Sequence, residues 1–180
     1  MEVKSMNLHT IEDIFNLPDG QRAELIDGNM YMMAPPNRYH QGLVVELSRC
    51  IGNYIAEKGG VCKVYPAPFA VFLNKDNKNY VEPDISVICD KDKLDERGCN
   101  GAPDWIIEIV SPNSQHMDYM NKLFKYRTAG VREYWIVDPK RSTVMVYNFE
   151  KDFVENYNFS ETVKAGIYED LAINFADIEL

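Results

Sequence analysis

A carboxylate stands where an apolar side chain is expected. In Asp104-Trp105-Ile106-Ile107-Glu108-Ile109-Val110, residues Ile106, Ile107, Ile109 and Val110 supply apolar groups to both faces of a strand. That is the pattern of a central strand covered on both sides. Glu108 interrupts it, and a lone carboxylate buried there is costly unless it is paired, protonated or bound to a metal. A second carboxylate, Asp84, opens the apolar run Ile85-Ser86-Val87-Ile88-Cys89 directly after Pro83. Two such groups on successive strands suggest a divalent-metal site.

The surrounding pattern supplies a sheet and helices to hold it. Thr10 and Asp13 read as a capping box that opens a short helix to about Leu17, ended by Pro18-Asp19-Gly20. Segments 22–26 and 30–33 read as a hairpin turned by Asp27-Gly28. Asn37 caps a long helix over 38–58, whose Leu43, Val44, Leu47, Cys50, Ile51, Tyr54 and Ile55 follow the helical period up to Gly59-Gly60. Strands are predicted at 62–65, 69–73, 84–89 and 104–110, with 90–103 a polar loop. Ser111-Pro112-Asn113-Ser114 leads into a second helix over 115–129, closed by Gly130 and followed by a strand at 133–137. A hairpin over 143–149 and 153–159, a short strand near 162–165 and an apolar segment at 173–178 complete the chain. The order implies one α/β domain over residues 1–180, a mixed sheet with packed helices, in which helix 115–129 is a crossover between neighbouring strands.

Composition excludes several classes. The 180 residues are 46% hydrophobic, enough for a real core. No run approaches the ~18 apolar residues of a membrane span, and the N-terminal residues lack the apolar stretch of a secretory signal. Cys50, Cys62, Cys89 and Cys99 form no CxxC pair; free core thiols in a reducing cytoplasm are the expectation. The net charge of −9 argues against a broadly basic nucleic-acid binder. Charge is nonetheless uneven: Lys122, Lys125, Arg127, Arg132, Lys140 and Arg141 face only Glu133 and Asp138 between positions 122 and 141. There is no GxGxxG, no P-loop and no GxSxG elbow, and His9, His40 and His116 are too scattered for a zinc site.

Asp84 and Glu108 on adjacent strands can share a Mg²⁺ or Mn²⁺ ion, because hard cations prefer oxygen ligands, and the carbonyl of Ile109 can be a further ligand. The bland alternatives are a turn cap for Asp84 and a buried Lys or Arg partner for Glu108. Asp118, Lys122 and Tyr126 fall in one i, i+4, i+8 row beside an apolar stripe of Tyr119, Met120, Leu123 and Phe124. Lys122 at the edge of a buried face can reach the sheet end preceding its helix; otherwise it makes a surface pair with Asp118. His40 points with Leu47 and Tyr54 on the apolar side, as a core histidine or a group beside a site. Glu46 flanks that stripe, as an extra carboxylate of a metal site or a boundary residue. Glu24 lies in a short strand next to the Asp27-Gly28 turn.

Pro83-Asp84 followed by Glu108-Ile109-Val110 resembles the signature of the PD-(D/E)xK nucleases, and the chain is most similar to the Uma-type restriction-endonuclease family. The likeness runs from about Ala23 to Val146. It includes Glu24-Leu25-Ile26-Asp27-Gly28, Pro35-Pro36 followed by His40, Glu82-Pro83-Asp84 and Glu108-Ile109-Val110-Ser111-Pro112. It continues through the helix of Lys122-Leu123 and Tyr126 into Gly130-Val131-Arg132-Glu133-Tyr134-Trp135-Ile136-Val137-Asp138-Pro139. The resemblance implies a restriction-endonuclease-like mixed β-sheet core flanked by helices. It implies a metal held by Asp84 and Glu108, and DNA as substrate. The superfamily lysine normally stands two residues after the glutamate, where this chain has Val110; the resemblance places that role on Lys122. Glu24 and His40 match family positions close to the site.

Two functions follow as expectations. One is a Mg²⁺-dependent endonuclease acting on DNA, with Asp84 and Glu108 on the metal and Lys122 assisting the attacking water. The other is a non-catalytic nucleic-acid-binding or regulatory module of the same fold. A homodimer suits duplex cleavage, since twofold symmetry supplies two sites. The aromatics Tyr147, Phe149, Phe153, Tyr157 and Phe159 are either its interface or the inner face of the sheet.

Overall fold

A computed structural model describes residues 8–111 and 117–178. The start of the helix expected from 115, and His116, lie outside the described residues. Thr10 opens helix α1 (Ile11–Phe15), its backbone N–H donating to the Asp13 carboxylate at 2.7 Å. Strands β1 (Ala23–Ile26) and β2 (Asn29–Met32) form the expected hairpin. Asp27 and Gly28 at its tip have φ of 50° and 78°, the left-handed pair that a two-residue turn requires. Helix α2 (Arg38–Glu57) begins where Asn37 accepts a hydrogen bond from the His40 N–H at 2.9 Å.

Strands β3 (Lys63–Pro66), β4 (Val71–Phe72) and β5 (Ile85–Ile88) follow. The segment 90–103, expected as a loop, instead contains a 3-10 turn (Lys91–Lys93) and two short strands, β6 (Leu94–Asp95) and β7 (Gly98–Asn100). Its strands carry little apolar alternation. They are held by tertiary pairing, β7 lying parallel to β4 with the Cys99 N–H donating to the Ala70 carbonyl at 2.9 Å.

Strand β8 (Trp105–Ile109) then crosses to β9 (Glu133–Asp138) through a π-helical turn (Met117–Lys122) that continues into α3 (Leu123–Ala129) and ends at Gly130. Strands β10 (Thr143–Asn148), β11 (Phe153–Asn158), β12 (Thr162–Lys164) and β13 (Ala172–Asn174) complete the chain. The main sheet has the order β11-β10-β9-β8-β5-β3, with β8 and β9 parallel and the other pairs antiparallel.

The pleat sends alternate residues of β8 to two cores. Trp105, Ile107 and Ile109 join Leu43, Leu47 and Ile51 of α2, Trp135 and Val137 in one. Ile106 joins Tyr126, Tyr134 and Ile136 in the other, beneath α3. Glu108 has the parity of Ile106 and therefore faces α3. Asp84, just before β5, has the parity of Ile88, which packs in that second core.

Two further expectations are corrected. Cys62 and Cys89 are not free thiols: they form a disulfide, because the register that pairs Lys63 with Ile88 sets them opposite each other at the end of β3 and β5. On the crossover helix, Met120 and Phe124 are 61% and 68% exposed, while Asp118, Lys122 and Tyr126 are buried. The polar row, not that part of the apolar stripe, faces the sheet. In the C-terminal hairpin, β11 is an edge strand with Phe153 and Val154 exposed; Tyr157 and Phe159 pack on the first core, Tyr147 and Phe149 on the second. No helix among the described residues is long and apolar enough to cross a membrane.

Candidate active site

The antiparallel register of β5 and β8 pairs Ile85 with Ile107. One step outward, Asp84 stands opposite Glu108. Backbone across the pair meets both side chains: the Ile109 N–H donates to Asp84 Oδ2 at 2.7 Å, and the Asp84 N–H approaches Glu108 Oε2 at 3.5 Å. Two carboxylates are thus fixed side by side at the end of a paired, twice-covered sheet.

Lys122 meets them from the crossover helix. Its Nζ is 2.9 Å from Glu108 Oε1, 2.8 Å from Glu24 Oε2 and 3.8 Å from Asp118 Oδ1. The Tyr126 hydroxyl donates to the same Glu108 Oε1 at 2.6 Å. Glu24 reaches the cluster from β1, which is tied to the segment before β5 by reciprocal hydrogen bonds between Leu25 and Tyr80; the Glu82 N–H donates to Glu24 Oε1 at 3.0 Å. The Tyr134 hydroxyl donates to the Asp118 carbonyl at 3.0 Å, pinning the π-helical turn onto β9. A π turn of this kind often marks a site where side-chain geometry overrides helical regularity.

Burial and the surrounding charges together raise three of these groups. It pushes the Glu108 carboxyl well up; Lys122 works against that, and the charges of Asp84, Asp118 and Glu24 add to it. Burial opposes the charging of Lys122, but Glu108, Glu24 and Asp118 outweigh it and raise the ammonium well above its ordinary value. Several carboxylates around one ammonium hold protons tightly. Tyr126 is likewise raised, by burial and by Glu108.

His40, on the first turn of α2, sits with Nε2 3.2 Å from Asp84 Oδ2. Burial lowers its proton affinity, but the hydrogen bond to Asp84 and its charge, with the Ile109 backbone and Asp118, win and raise it. Glu46 is not brought to this cluster: it pairs with Arg49 on the outer flank of α2. Asp84, Glu108, Lys122, Glu24, His40 and the backbone of Ile109 all line one cleft of about 710 Å³.

The sequence pattern does not single out the Arg22–Glu82 pair on its wall, in which Glu82 also accepts from the Tyr80 hydroxyl at 2.7 Å. Asp118 reads from the sequence as half of a surface pair and is 1% exposed. The i, i+4, i+8 row was the available signal for both Asp118 and Tyr126; what it lacks is which face of the helix is turned inward.

Residues 11–174 match the family Uma2, described as "Putative restriction endonuclease". The chain belongs to the Uma2 family. It is 24% identical over 148 residues to the "Uncharacterized protein slr1290" of Synechocystis sp., covering 80% of this chain and 76% of that one. The solved structure of a "putative nuclease belonging to DUF820" from Anabaena variabilis superimposes with a TM-score of 0.75 at 22% identity, covering 94% of this Uma2 chain and 96% of the other. That likeness shows the fold, a nuclease-like mixed sheet with a few helices.

The donor chemistry of the Uma2 site suits a hard cation. Among the described residues five carboxylates line the cleft (Glu24, Glu82, Asp84, Glu108 and Asp118) against two permanent cations, Arg22 and Lys122. Among the described residues no three His, Cys, Asp or Glu side chains converge as a ready metal cage. Mg²⁺ needs none: it commonly takes one or two protein carboxylates and completes its shell with water.

Proposed function

We propose that this chain is a metal-dependent endonuclease that hydrolyses DNA phosphodiester bonds. The observation that carries the reading is the placement of Asp84 opposite Glu108, with the Lys122 ammonium 2.9 Å from the Glu108 carboxylate, in an open cleft. Family membership supports it. Asp84, Glu108 and the Ile109 carbonyl are the groups that would hold Mg²⁺ or Mn²⁺. Such an ion supplies Lewis acidity toward a phosphoryl oxygen and lowers the pKa of a bound water.

The chain's own residues divide the remaining work. Lys122 has its ammonium stabilised by three carboxylates, so it acts as a fixed positive donor and not as a base. From there it orients an attacking water and offsets charge developing on the phosphate. Glu24 and Tyr126 aim Lys122 and Glu108. His40 holds Asp84 in place through Oδ2. Val110, two residues after Glu108, is packed among apolar groups of the second core, so the cationic role falls to the helix.

The test is nicking of plasmid DNA by wild type, Asp84→Ala and Lys122→Met in Mg²⁺ and in Mn²⁺, alongside calorimetric titration with Mn²⁺. Wild type is expected to nick and to bind Mn²⁺, and Asp84→Ala to do neither while keeping its circular dichroism. The reading is lost if wild type cuts no nucleic acid with either ion, or if Asp84→Ala cuts equally well.

A further inference from the structure

The cleft walls differ in character from its floor. The floor is the buried charged cluster. One wall is the run from Met30 through Pro36, which lines the cleft with Met30, Met32, Met33, Pro35 and Pro36; Pro68 stands on another side. The same run supplies the half-buried ring of Tyr31, and Met32 on it is 55% exposed.

Duplex binding draws its affinity from Lys and Arg neutralising many phosphates. Among the described residues this cleft offers two permanent cations. Lys122 is buried and already surrounded by carboxylates, and Arg22 is paired with Glu82. The cleft as a whole is acidic, and its one solvent-reached cation, Arg22, cannot neutralise the many phosphates of a rigid double helix. What it does offer is apolar and aromatic surface, which is complementary to base faces. In a duplex those faces are stacked out of reach; in an unpaired strand they are free. A volume of about 710 Å³ is in the range of small-molecule pockets and takes a nucleotide or two, not a double helix.

We propose that the site takes unpaired DNA: a single-stranded segment enters with its bases against the Met30–Pro36 wall, the Tyr31 ring included, and its phosphate over Asp84 and Glu108. This rests on the nuclease reading for what happens to that phosphate. It adds that a divalent cation must offset the cleft's carboxylates before the strand is held.

The experiment is fluorescence anisotropy of the wild-type chain in Ca²⁺ with a labelled 12-nucleotide strand and with the same sequence as a blunt duplex. A second titration omits Ca²⁺, and both are repeated with Tyr31→Ala and Met32→Ala, two positions of that wall outside the charged cluster. The strand is expected to bind at least tenfold more tightly than the duplex. Omitting Ca²⁺ is expected to abolish that binding. Each substitution is expected to weaken strand binding about fivefold and leave duplex binding unchanged. Duplex binding as tight as strand binding, binding of neither, or no effect of both substitutions overturns the inference. Cleavage of both substrates, run in Mg²⁺, separates the two proposals. Equal cutting of strand and duplex sinks the substrate preference and keeps the nuclease. Tight strand binding with no cutting of any substrate sinks the nuclease and keeps the preference.

Discussion

The ammonium of Lys122 lies 2.8 Å from the carboxylate of Glu24, joining the first hairpin to the crossover helix inside the cleft. Glu24 is 5% exposed and Lys122 also 5%. The contact therefore belongs to the interior, where the loss of one partner strands the other. Glu24, Glu108 and Asp118 all pair with this ammonium.

Lys122→Met should cost about 3–5 kcal/mol of unfolding free energy, the usual penalty for leaving buried charge uncompensated. Glu24→Gln, which keeps an acceptor for the Glu82 N–H, should cost less, about 1–3 kcal/mol. Urea unfolding followed by tryptophan fluorescence reads both, since Trp105 and Trp135 are fully buried. Unchanged midpoints for Lys122→Met would mean that the cluster does not hold the hairpin to the helix.

Arg22 is the cleft cation that solvent can reach, with 40% of its side chain exposed, and Glu82 orients it from below. If the nuclease reading holds, Arg22→Ala should raise KM for nucleic acid about tenfold, ~1.4 kcal/mol of binding, with kcat little changed. Arg22→Lys keeps the charge but loses the fork, and should recover only part of the loss. A fall in kcat with KM unchanged would place Arg22 in the chemical step and refute a binding role.

Much of this site is legible in the sequence, and the missing part has one physical origin. Asp84 and Glu108 stand out because each breaks an apolar strand, and strand register then brings them together. Asn37 and the Asp27-Gly28 turn are local signals, and both structures form as expected. Asp118, Glu82 and the β6–β7 hairpin depend on contacts between distant segments, which periodicity does not encode. The crossover helix shows this most clearly. Hydrophobicity alone would bury Met120 and Phe124, but the charged row is turned inward because Glu24 and Glu108 wait there to pair with it. The Cys62–Cys89 bond was missed for the same reason, since the spacing of 27 residues says nothing of the register that makes them face each other.

Gly98 should tolerate no side chain. Its φ is +145°, and a Cβ there would lie 2.2 Å from the Ala70 carbonyl oxygen. Backbone cannot yield as a flexible side chain can, so β7 would have to leave β4. Gly98→Ala should cost about 1–3 kcal/mol and speed amide exchange at Cys99, whose N–H donates to that carbonyl. Wild-type exchange at Cys99 in the variant would show that the hairpin is not held by this approach.

Glu133 gives the fold a pH dependence separate from the cleft. It is fully buried in β9, and burial pushes its carboxyl above the ordinary value. Hydrogen bonds from the Gly166 and Ile167 backbone, the Trp135 indole and Asn148 oppose the shift without cancelling it. The sign follows from proton uptake. A carboxyl whose folded value is raised binds more protons in the native state than in the unfolded chain. Its contribution to stability is fully present below the unfolded value of about 4.5 and is lost as pH rises through the folded value. Exposed carboxylates with lowered values, such as Asp95 and Glu161, act in the opposite sense at lower pH, so the effect has to be read as a difference. Glu133→Gln fixes the neutral form in nearly the same shape. The unfolding free energy of wild type minus that of Glu133→Gln should be constant at low pH and then fall as pH rises above about 4.5, as measured by urea titrations across the pH range. A difference that stays flat, or one that grows with pH, would show that the hydrogen bonds from Trp135 and Gly166 outweigh burial and that Glu133 is carried as the anion.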